Sequence, residues 1–239
     1  MTTVTPLPAA EFLEARLRRW TPGEFRRMTQ DGIFGPSESA QLVDGEVYTH
    51  GQRHLWTRDE YYRLGDSGLL PPGERTELLD GRIIRKVTMN PPHATAVLKT
   101  AEALRPAFPK HLVMAQRPTD LSTHSDPEPD VIVVTGSLDD YSYRHPTSDG
   151  ALLVVEVSDS TLREDRRYKA GLYARAGLPE YWIVNINART LEVRRRPEDG
   201  EYLSLDVYAE GEAVAPLAAP NSPVRVADLL PLARPTPAP

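Results

Sequence analysis

The chain carries PDVIVV at Pro129–Val134 and LLVVEVS at Leu152–Ser158. Both runs are apolar and rich in β-branched residues, which is the pattern of a buried β-strand. Each run also contains one acid, Asp130 in the first and Glu156 in the second, where a carboxylate is costly to desolvate. A positive group between the two acids would offset that cost, and a divalent cation fits this description. The two runs therefore favour a metal-dependent enzyme over a plain globular domain.

Helical and strand patterns alternate along the chain and predict a mixed α/β (α+β) fold, with a mixed β-sheet flanked by helices. The predicted helices cover residues 9–19, 57–64, 93–108 and 161–176, and the last matches a capping box at its start, Thr161 and Glu164. The predicted strands cover residues 77–84 as a hairpin with an Asp-Gly turn, 112–116, 131–134, 151–157, 180–184 and 191–194.

The sequence contains an internal repeat with an offset of 36 residues. WTPGEFRR at residues 20–27 returns as WTRDEYYR at residues 56–63, and the register continues beyond these segments without a gap. Two copies are too few for a solenoid, so the repeat predicts a duplicated helix-turn-hairpin unit. The position of Glu77 in the second copy is Gln41 in the first, so any chemical role of Glu77 is lost there.

The repeat and the composition together predict three parts. Residues 1–55 form an N-terminal extension with the first repeat copy, residues 56–209 form the core domain, and residues 210–239 form a C-terminal extension. The proline-rich end, Pro231–Pro239, is expected to be disordered.

Composition excludes several classes of protein. The chain of 239 residues has no cysteine and a formal net charge of -6, which excludes disulfides, zinc-thiolate sites and cysteine nucleophiles. The negative charge argues against a protein that coats nucleic acid non-specifically. We expect a cytoplasmic protein without a membrane segment, since the N-terminus has no secretion signal and no apolar run approaches about 20 residues.

The spacing of the two acids predicts where they meet. Strand alternation places Glu156 and Ser158 on one face of their strand, and Asp130 begins its own strand. If the two strands pair antiparallel, both carboxylates converge at one edge of the sheet, where their oxygens suit magnesium or manganese. The alternative is structural: Asp130 would cap a turn after Pro129, and Glu156 would pair with an arginine.

Lys169 follows Glu156 by thirteen residues, on the predicted helix after that strand. A helix that folds back over its strand would bring the ammonium to the strand end, where it could stabilise a developing phosphoryl charge. Asp165, one turn earlier, could position Lys169. The alternative is a solvated lysine on the helix surface.

Three other residues are considered. Glu77, at the start of the predicted hairpin, is a candidate third acid, and the alternative is a surface residue. His93 is expected to be a helix cap or a structural contact, and Tyr173 a core aromatic without a chemical role.

These residues resemble the Uma-two-type restriction endonucleases of the PD-(D/E)XK nuclease superfamily. The resemblance covers residues from about Trp56 to Arg196, and its pieces follow the family's order: Glu77–Gly81, Pro91–His93, Pro129–Val131, Val154–Ser158, Asp165 with Lys169 and Tyr173, and Gly177–Trp182.

The resemblance implies a restriction-endonuclease-like core, magnesium-dependent attack of water on a phosphodiester, and a homodimer. Asp130 and Glu156 are the implied metal ligands, with Val157 as a third metal-binding position, and Glu77 is the implied additional acid. The chain departs from the superfamily pattern at Ser158, where a lysine is usual. Lys169 would then substitute from the helix.

The resulting hypothesis is a Mg²⁺-dependent endonuclease acting on double-stranded DNA, with Asp130, Glu156, Lys169 and Glu77 in the catalytic site. The alternative is a catalytically impaired module that keeps the nuclease fold and binds nucleic acid or a protein partner. A further possibility is that the first repeat copy regulates the site, so that deleting the residues before Leu55 raises activity.

Overall fold

The structure is a computed structural model that describes residues 11–35 and 38–233. The chain divides into two compact units. The first comprises residues up to Val87 together with Asp120–Pro127, and the second comprises Thr88–Thr119 and the residues from Glu128 onward. Residues 9 and 10 of the first predicted helix, and the predicted disordered tail from residue 234 onward, lie outside the described residues. The three-part division drawn from the sequence stays a prediction.

The first unit contains helices and small antiparallel sheets, one built from β1–β3 and another from β4 and β5. Its elements in chain order are α1 (Glu11–Glu14), α2 (Pro22–Gln30), β1 (Ala40–Val43), β2 (Glu46–Thr49), β3 (Gln52–Arg53), α3 (Arg58–Asp66), β4 (Thr76–Leu79) and β5 (Arg82–Arg85).

The first helix is shorter than the sequence pattern predicts. Helix α1 ends at Glu14, and the chain then runs extended beside β5, where Leu17 forms a β-bridge to Ile84. The main-chain amide of Arg18 donates a hydrogen bond to the carbonyl of Ile83 at 2.8 Å. Hydrogen bonds to β5 therefore satisfy main-chain groups of the segment after α1. In a longer α1, hydrogen bonds within the helix would have satisfied them.

The predicted hairpin is confirmed, with β4 and β5 joined by Asp80 and Gly81. Both residues have positive φ, 46° and 75°, as a two-residue type I′ turn requires. Glycine is needed at the second position for a further reason, because a Cβ there would lie 2.7 Å from the Cβ of Leu55.

The second unit is built on a six-stranded sheet with the order β11-β10-β9-β8-β7-β6. Its elements in chain order are α4 (Pro91–Leu104), β6 (Leu112–Ala115), β7 (Val131–Val134), β8 (Ala151–Ser158), α5 (Leu162–Glu164), α6 (Ala170–Arg175), β9 (Glu180–Asn185), β10 (Thr190–Glu198), β11 (Glu201–Ala209), β12 (Ala213–Val214), β13 (Val224–Arg225) and α7 (Val226–Leu229).

The sheet is mixed, as predicted. All neighbouring strands pair antiparallel except β8 and β9, which are parallel and joined by the α5–α6 segment. One face of the sheet packs its apolar side chains with those of α4 and α7 in a single buried cluster. The antiparallel pairing of β7 with β8, on which the predicted meeting of the two acids depends, is confirmed.

The helical segment after β8 differs from a regular helix. Helices α5 and α6 are joined by a π-helical turn at Asp165–Lys169. The predicted capping box at its start is wrong: the Thr161 side chain caps no main-chain amide and instead donates a hydrogen bond to Asp165 Oδ2 at 2.7 Å. The Thr161 hydroxyl therefore binds the buried Asp165 carboxyl instead of capping the helix. None of the helices that the structure describes is long and apolar enough to cross a bilayer.

Candidate active site

Asp130 and Glu156 meet at one edge of the second unit's sheet. The register pairs Val131 with Val155, so the next step of the ladder places Asp130 opposite Glu156, and opposed residues share a face. Asp130 Oδ2 accepts a hydrogen bond from the main-chain amide of Val157 at 2.8 Å. Both carboxylates are buried, with 5% and 4% of their residue surface exposed.

Glu156 is bound by two side chains from the helical segment that follows its strand. Lys169 Nζ donates to Glu156 Oε1 at 2.9 Å, and the Tyr173 hydroxyl donates to the same oxygen at 2.7 Å. Lys169 and Tyr173 are four residues apart and therefore lie on one helical face. All three residues are buried, so Lys169 is not a solvated surface lysine, and the partner of Glu156 is a lysine rather than the arginine of the structural alternative.

Asp165 lies in the same buried region, at the start of the π-helical turn. Burial raises the pKa of Asp165 well above its ordinary value, and the negative charge of Glu156 raises it further. The charge of Lys169 and the hydrogen bond from Thr161 lower it, but not enough to compensate. This environment therefore favours the uncharged form of Asp165 more than solvent does.

His93 contacts Asp130 from the first turn of α4. Its Nε2 lies 3.3 Å from Asp130 Oδ1. The Asn90 side chain caps the helix, because its Oδ1 accepts a hydrogen bond from the His93 main-chain amide at 3.0 Å. Burial lowers the pKa of His93, but the hydrogen bond and charge of Asp130, with the charges of Glu156 and Asp159, raise it overall. The contact with Asp130 therefore favours the protonated form of His93 more than solvent does.

Ser158, two residues after Glu156, is the last residue of β8. Its residue is 1% exposed, and within the described part of the chain its hydroxyl has no hydrogen-bond partner. Strand alternation places it on the same face as Glu156. A buried hydroxyl without a partner is costly.

Glu77 lies in the first unit, on β4, where it pairs in register with Ile84. Its residue is buried, at 2% exposure, whereas the equivalent Gln41 of the first repeat copy is exposed. The two positions thus differ in environment as well as in charge. The role of Glu77 as a third acid stays a prediction.

The oxygen donors at the sheet edge fit a hard divalent cation. Mg²⁺ is usually bound through one or two carboxylates and keeps several waters, and Asp130 and Glu156 provide two. Val157 could add only its main-chain carbonyl. Within residues 11–35 and 38–233, no three His, Asp or Glu side chains form a group that could hold a metal ion, so water would complete the coordination.

Two residues contact the site although the sequence pattern assigned them only structural roles. His93 touches Asp130, and Tyr173 touches Glu156. A usable signal existed for Tyr173, since it follows Lys169 at the spacing of one helical face. For His93 the sequence spacing gives no comparable signal, because its contact with Asp130 depends on how α4 packs beside β7.

Comparisons with known proteins identify a family and a related fold for this chain. A family model, Uma2, described as "Putative restriction endonuclease", matches residues 58–227. No curated protein matches the chain. Among solved structures, "a putative nuclease belonging to DUF820" from Anabaena variabilis ATCC 29413 matches with a TM-score of 0.55 and 16% sequence identity. The match covers 72% of this chain and 96% of that chain.

At this identity the structural match establishes a shared fold and nothing more. The family model carries more weight, because it covers most of the chain, including both sheet-edge acids and the lysine segment. The chain therefore belongs to the Uma2 family of restriction-endonuclease-like proteins.

Proposed function

We propose that the protein is a metal-dependent nuclease that hydrolyses phosphodiester bonds in double-stranded DNA. The observation that carries the proposal is the contact of Lys169 with Glu156, opposite Asp130 on the neighbouring strand. Membership in the Uma2 family and the shared fold support a nuclease in general. The dependence on a metal and the identity of the substrate as DNA go beyond that support and are proposed in addition.

Asp130 and Glu156 would hold the cation, with the Val157 carbonyl as an additional donor. A divalent cation bound there supplies Lewis-acid chemistry, because it acidifies the attacking water and neutralises charge on the scissile phosphate. The amide of Val157 and the ring of His93 orient the Asp130 carboxylate. Tyr173 orients Glu156 in the same way.

Lys169 would act on the phosphate itself. In the described structure its ammonium neutralises Glu156. A lysine is a compact charge on a flexible stem, so the Lys169 ammonium could turn from Glu156 toward a bound phosphate. There it would stabilise the negative charge that develops on the phosphoryl oxygens.

The exposed surface of the same segment suits a DNA backbone. Arg163 and Arg167 are exposed, whereas Lys169 on the same segment is buried. Contacts to DNA phosphates come largely from arginine and lysine and fix the position of the protein on the duplex. These two arginines would thus hold the strand while Lys169 reaches the scissile phosphate.

A second candidate function is a catalytically impaired module that binds nucleic acid or a protein partner. It is favoured by Ser158, which stands where the superfamily has its lysine. The position of Lys169 argues against it, because the missing ammonium is restored at the same carboxylate from the helix.

Plasmid nicking tests the proposal. We expect wild-type protein to nick supercoiled DNA with Mg²⁺ or Mn²⁺ and to be inactive in EDTA. Glu156→Ala should remove the activity, whereas Glu201→Ala, which alters an exposed glutamate on β11, should not. The control also excludes a contaminating nuclease, since both variants are purified in the same way. Equal nicking by wild type and Glu156→Ala would refute the proposal.

A further inference from the structure

The two copies of the repeat adopt the same local structure within the first unit. Helices α2 and α3 both begin after a threonine whose side chain forms a capping box with a glutamate three residues on, Thr21 with Glu24 and Thr57 with Glu60. Each helix is followed by an antiparallel hairpin, β1–β2 in the first copy and β4–β5 in the second.

The hairpins also bind their own lead-in segments in the same way. The main-chain amide of Trp20 donates to the carbonyl of Gly45 at 2.8 Å, and that of Trp56 donates to the carbonyl of Gly81 at 2.9 Å. Each pair is related to the other by the offset of 36 residues. The duplication in sequence is therefore a duplication of one folded unit.

Equivalent residues of the two copies contact each other. The rings of Trp20 and Trp56, which occupy the same position in the repeat, lie with their centroids 5.6 Å apart. In a symmetric dimer, a residue can touch its own counterpart only near the two-fold axis. The tryptophan pair thus marks a pseudo-two-fold axis between the copies.

A second set of contacts is reciprocal across that axis. Arg27 of the first copy donates to the carbonyl of Ser67 in the second, at 2.6 Å. Its counterpart, Arg63, donates to the carbonyls of Gly32 and Ile33 in the first copy, at 3.0 and 2.8 Å. Each arginine therefore binds the carbonyls at the end of the other copy's helix, as the two subunits of an isologous dimer do for each other.

One apolar core is shared by both copies. The first copy contributes Met28, Ile33 and others, and the second contributes a matching set. The buried members are Trp20, Met28, Ile33, Phe34, Val47, Trp56, Leu64, Leu69, Leu70, Leu78 and Ile83.

From this arrangement we infer that the apolar face of the second repeat is a self-complementary interaction surface, formed by Trp56, Leu64 and Leu69. Its partner is another copy of the same repeat, and in this chain the first repeat fills that place. The first repeat is thus an in-chain substitute for a second subunit. A homodimer of the full chain, which the family resemblance implies, would use a different surface.

Detaching the first repeat in the full-length chain tests the inference. Met28→Asp places a charge in the shared core and uncovers the face of the second repeat. By sedimentation equilibrium we expect its mass to be about twofold that of wild type, because two uncovered faces pair across a two-fold axis. The double variant Met28→Asp/Leu64→Asp should return to the wild-type mass, since its second face is charged as well.

An unchanged mass for Met28→Asp, with far-UV circular dichroism close to wild type, would overturn the inference. Phe34→Asp, at the margin of the same core, serves as a milder variant if Met28→Asp does not fold.

Discussion

Two buried glutamates lie on adjacent strands of the same sheet, and they are bound in different ways. Glu180, at the start of β9, is fully buried, and Glu156, near the end of β8, is almost so. Glu180 Oε1 accepts from Trp182 Nε1 at 2.9 Å and from Arg195 Nε at 2.8 Å, and its Oε2 accepts from the amide of Leu217 at 2.7 Å. Glu156 is bound by a lysine and a tyrosine.

This difference in partners distinguishes Glu180, an acid with a structural role, from Glu156, the acid proposed to act in catalysis. The donors to Glu180 are an indole, a guanidinium and a main-chain amide, and together they satisfy both of its carboxylate oxygens. Glu156 faces a second carboxylate, Asp130, and its cation is a flexible lysine. Burial alone does not distinguish the two acids, whereas their neighbours do, because Glu156 lies opposite a second carboxylate and Glu180 accepts hydrogen bonds on both oxygens.

The largest expected effect is on catalysis. Glu156→Gln should lower the rate of DNA nicking by about 10³-fold, or ~4 kcal/mol, because a metal ligand is lost. Glu180→Gln, a change of the same chemistry on the next strand, should leave the rate within about threefold of wild type, since an effect below ~1 kcal/mol is expected away from the reacting groups. Initial rates on supercoiled plasmid measure both. Equal losses in the two variants would remove the distinction.

The stability of the same two variants should show the opposite order. Glu180→Gln removes one partner of a buried ion pair and should cost about 3 kcal/mol in the free energy of unfolding. Glu156→Gln should cost less, because it also relieves repulsion from Asp130 and Asp165. Urea denaturation in EDTA measures both values. A larger loss for Glu156→Gln would mean that Glu156 is the structural acid.

Lys169 should contribute less to the rate than Glu156 does. Lys169→Met keeps the length of the side chain and removes its charge, so nicking should fall by about 10²-fold, or ~2.7 kcal/mol. Arg195→Met, which removes the cation of the Glu180 cluster, is the matched control and should retain activity while lowering the melting temperature. Full nicking by Lys169→Met would exclude a role for the ammonium at the phosphate.

The smallest effect is a pH dependence of stability. Because the folded-state pKa of Asp165 is raised, wild type should lose stability as pH rises above the unfolded value of about 3.9, with a slope of at most ~1.4 kcal/mol per pH unit. Asp165→Asn lacks this titration. Its stability relative to wild type should therefore increase with pH, as measured by urea denaturation in EDTA between about pH 4 and about pH 5. If the stability of Asp165→Asn relative to wild type decreased as the pH rose, the proposed excess of negative charge around Glu156 would be contradicted.

The strands of the sheet could be predicted because their signal is local. The runs that form β7 and β8 are apolar and β-branched, and strand formation needs little else. The π-helical turn at Asp165–Lys169 could not be predicted, since it depends on side chains that meet only in the folded chain. The parallel pairing of β8 with β9 likewise depends on how the intervening helices cross the sheet.

The candidate site shows the same limit. An acid in an apolar strand marks an unusual position, and that reasoning selected Asp130 and Glu156. Glu180 precedes an equally apolar run, so the same reasoning applies to it, and sequence alone does not separate it from Glu156. The partners decide between them, and partners such as Tyr173 and Leu217 are known only once the strands and helices are placed.

The most direct test of the central claim is metal binding at the two sheet-edge acids. Titration with Mn²⁺, followed by calorimetry and by electron paramagnetic resonance, should show a site in wild type and in Glu180→Gln that is absent from Asp130→Asn. Identical binding by all three proteins, or DNA nicking that persists in EDTA, would contradict the account.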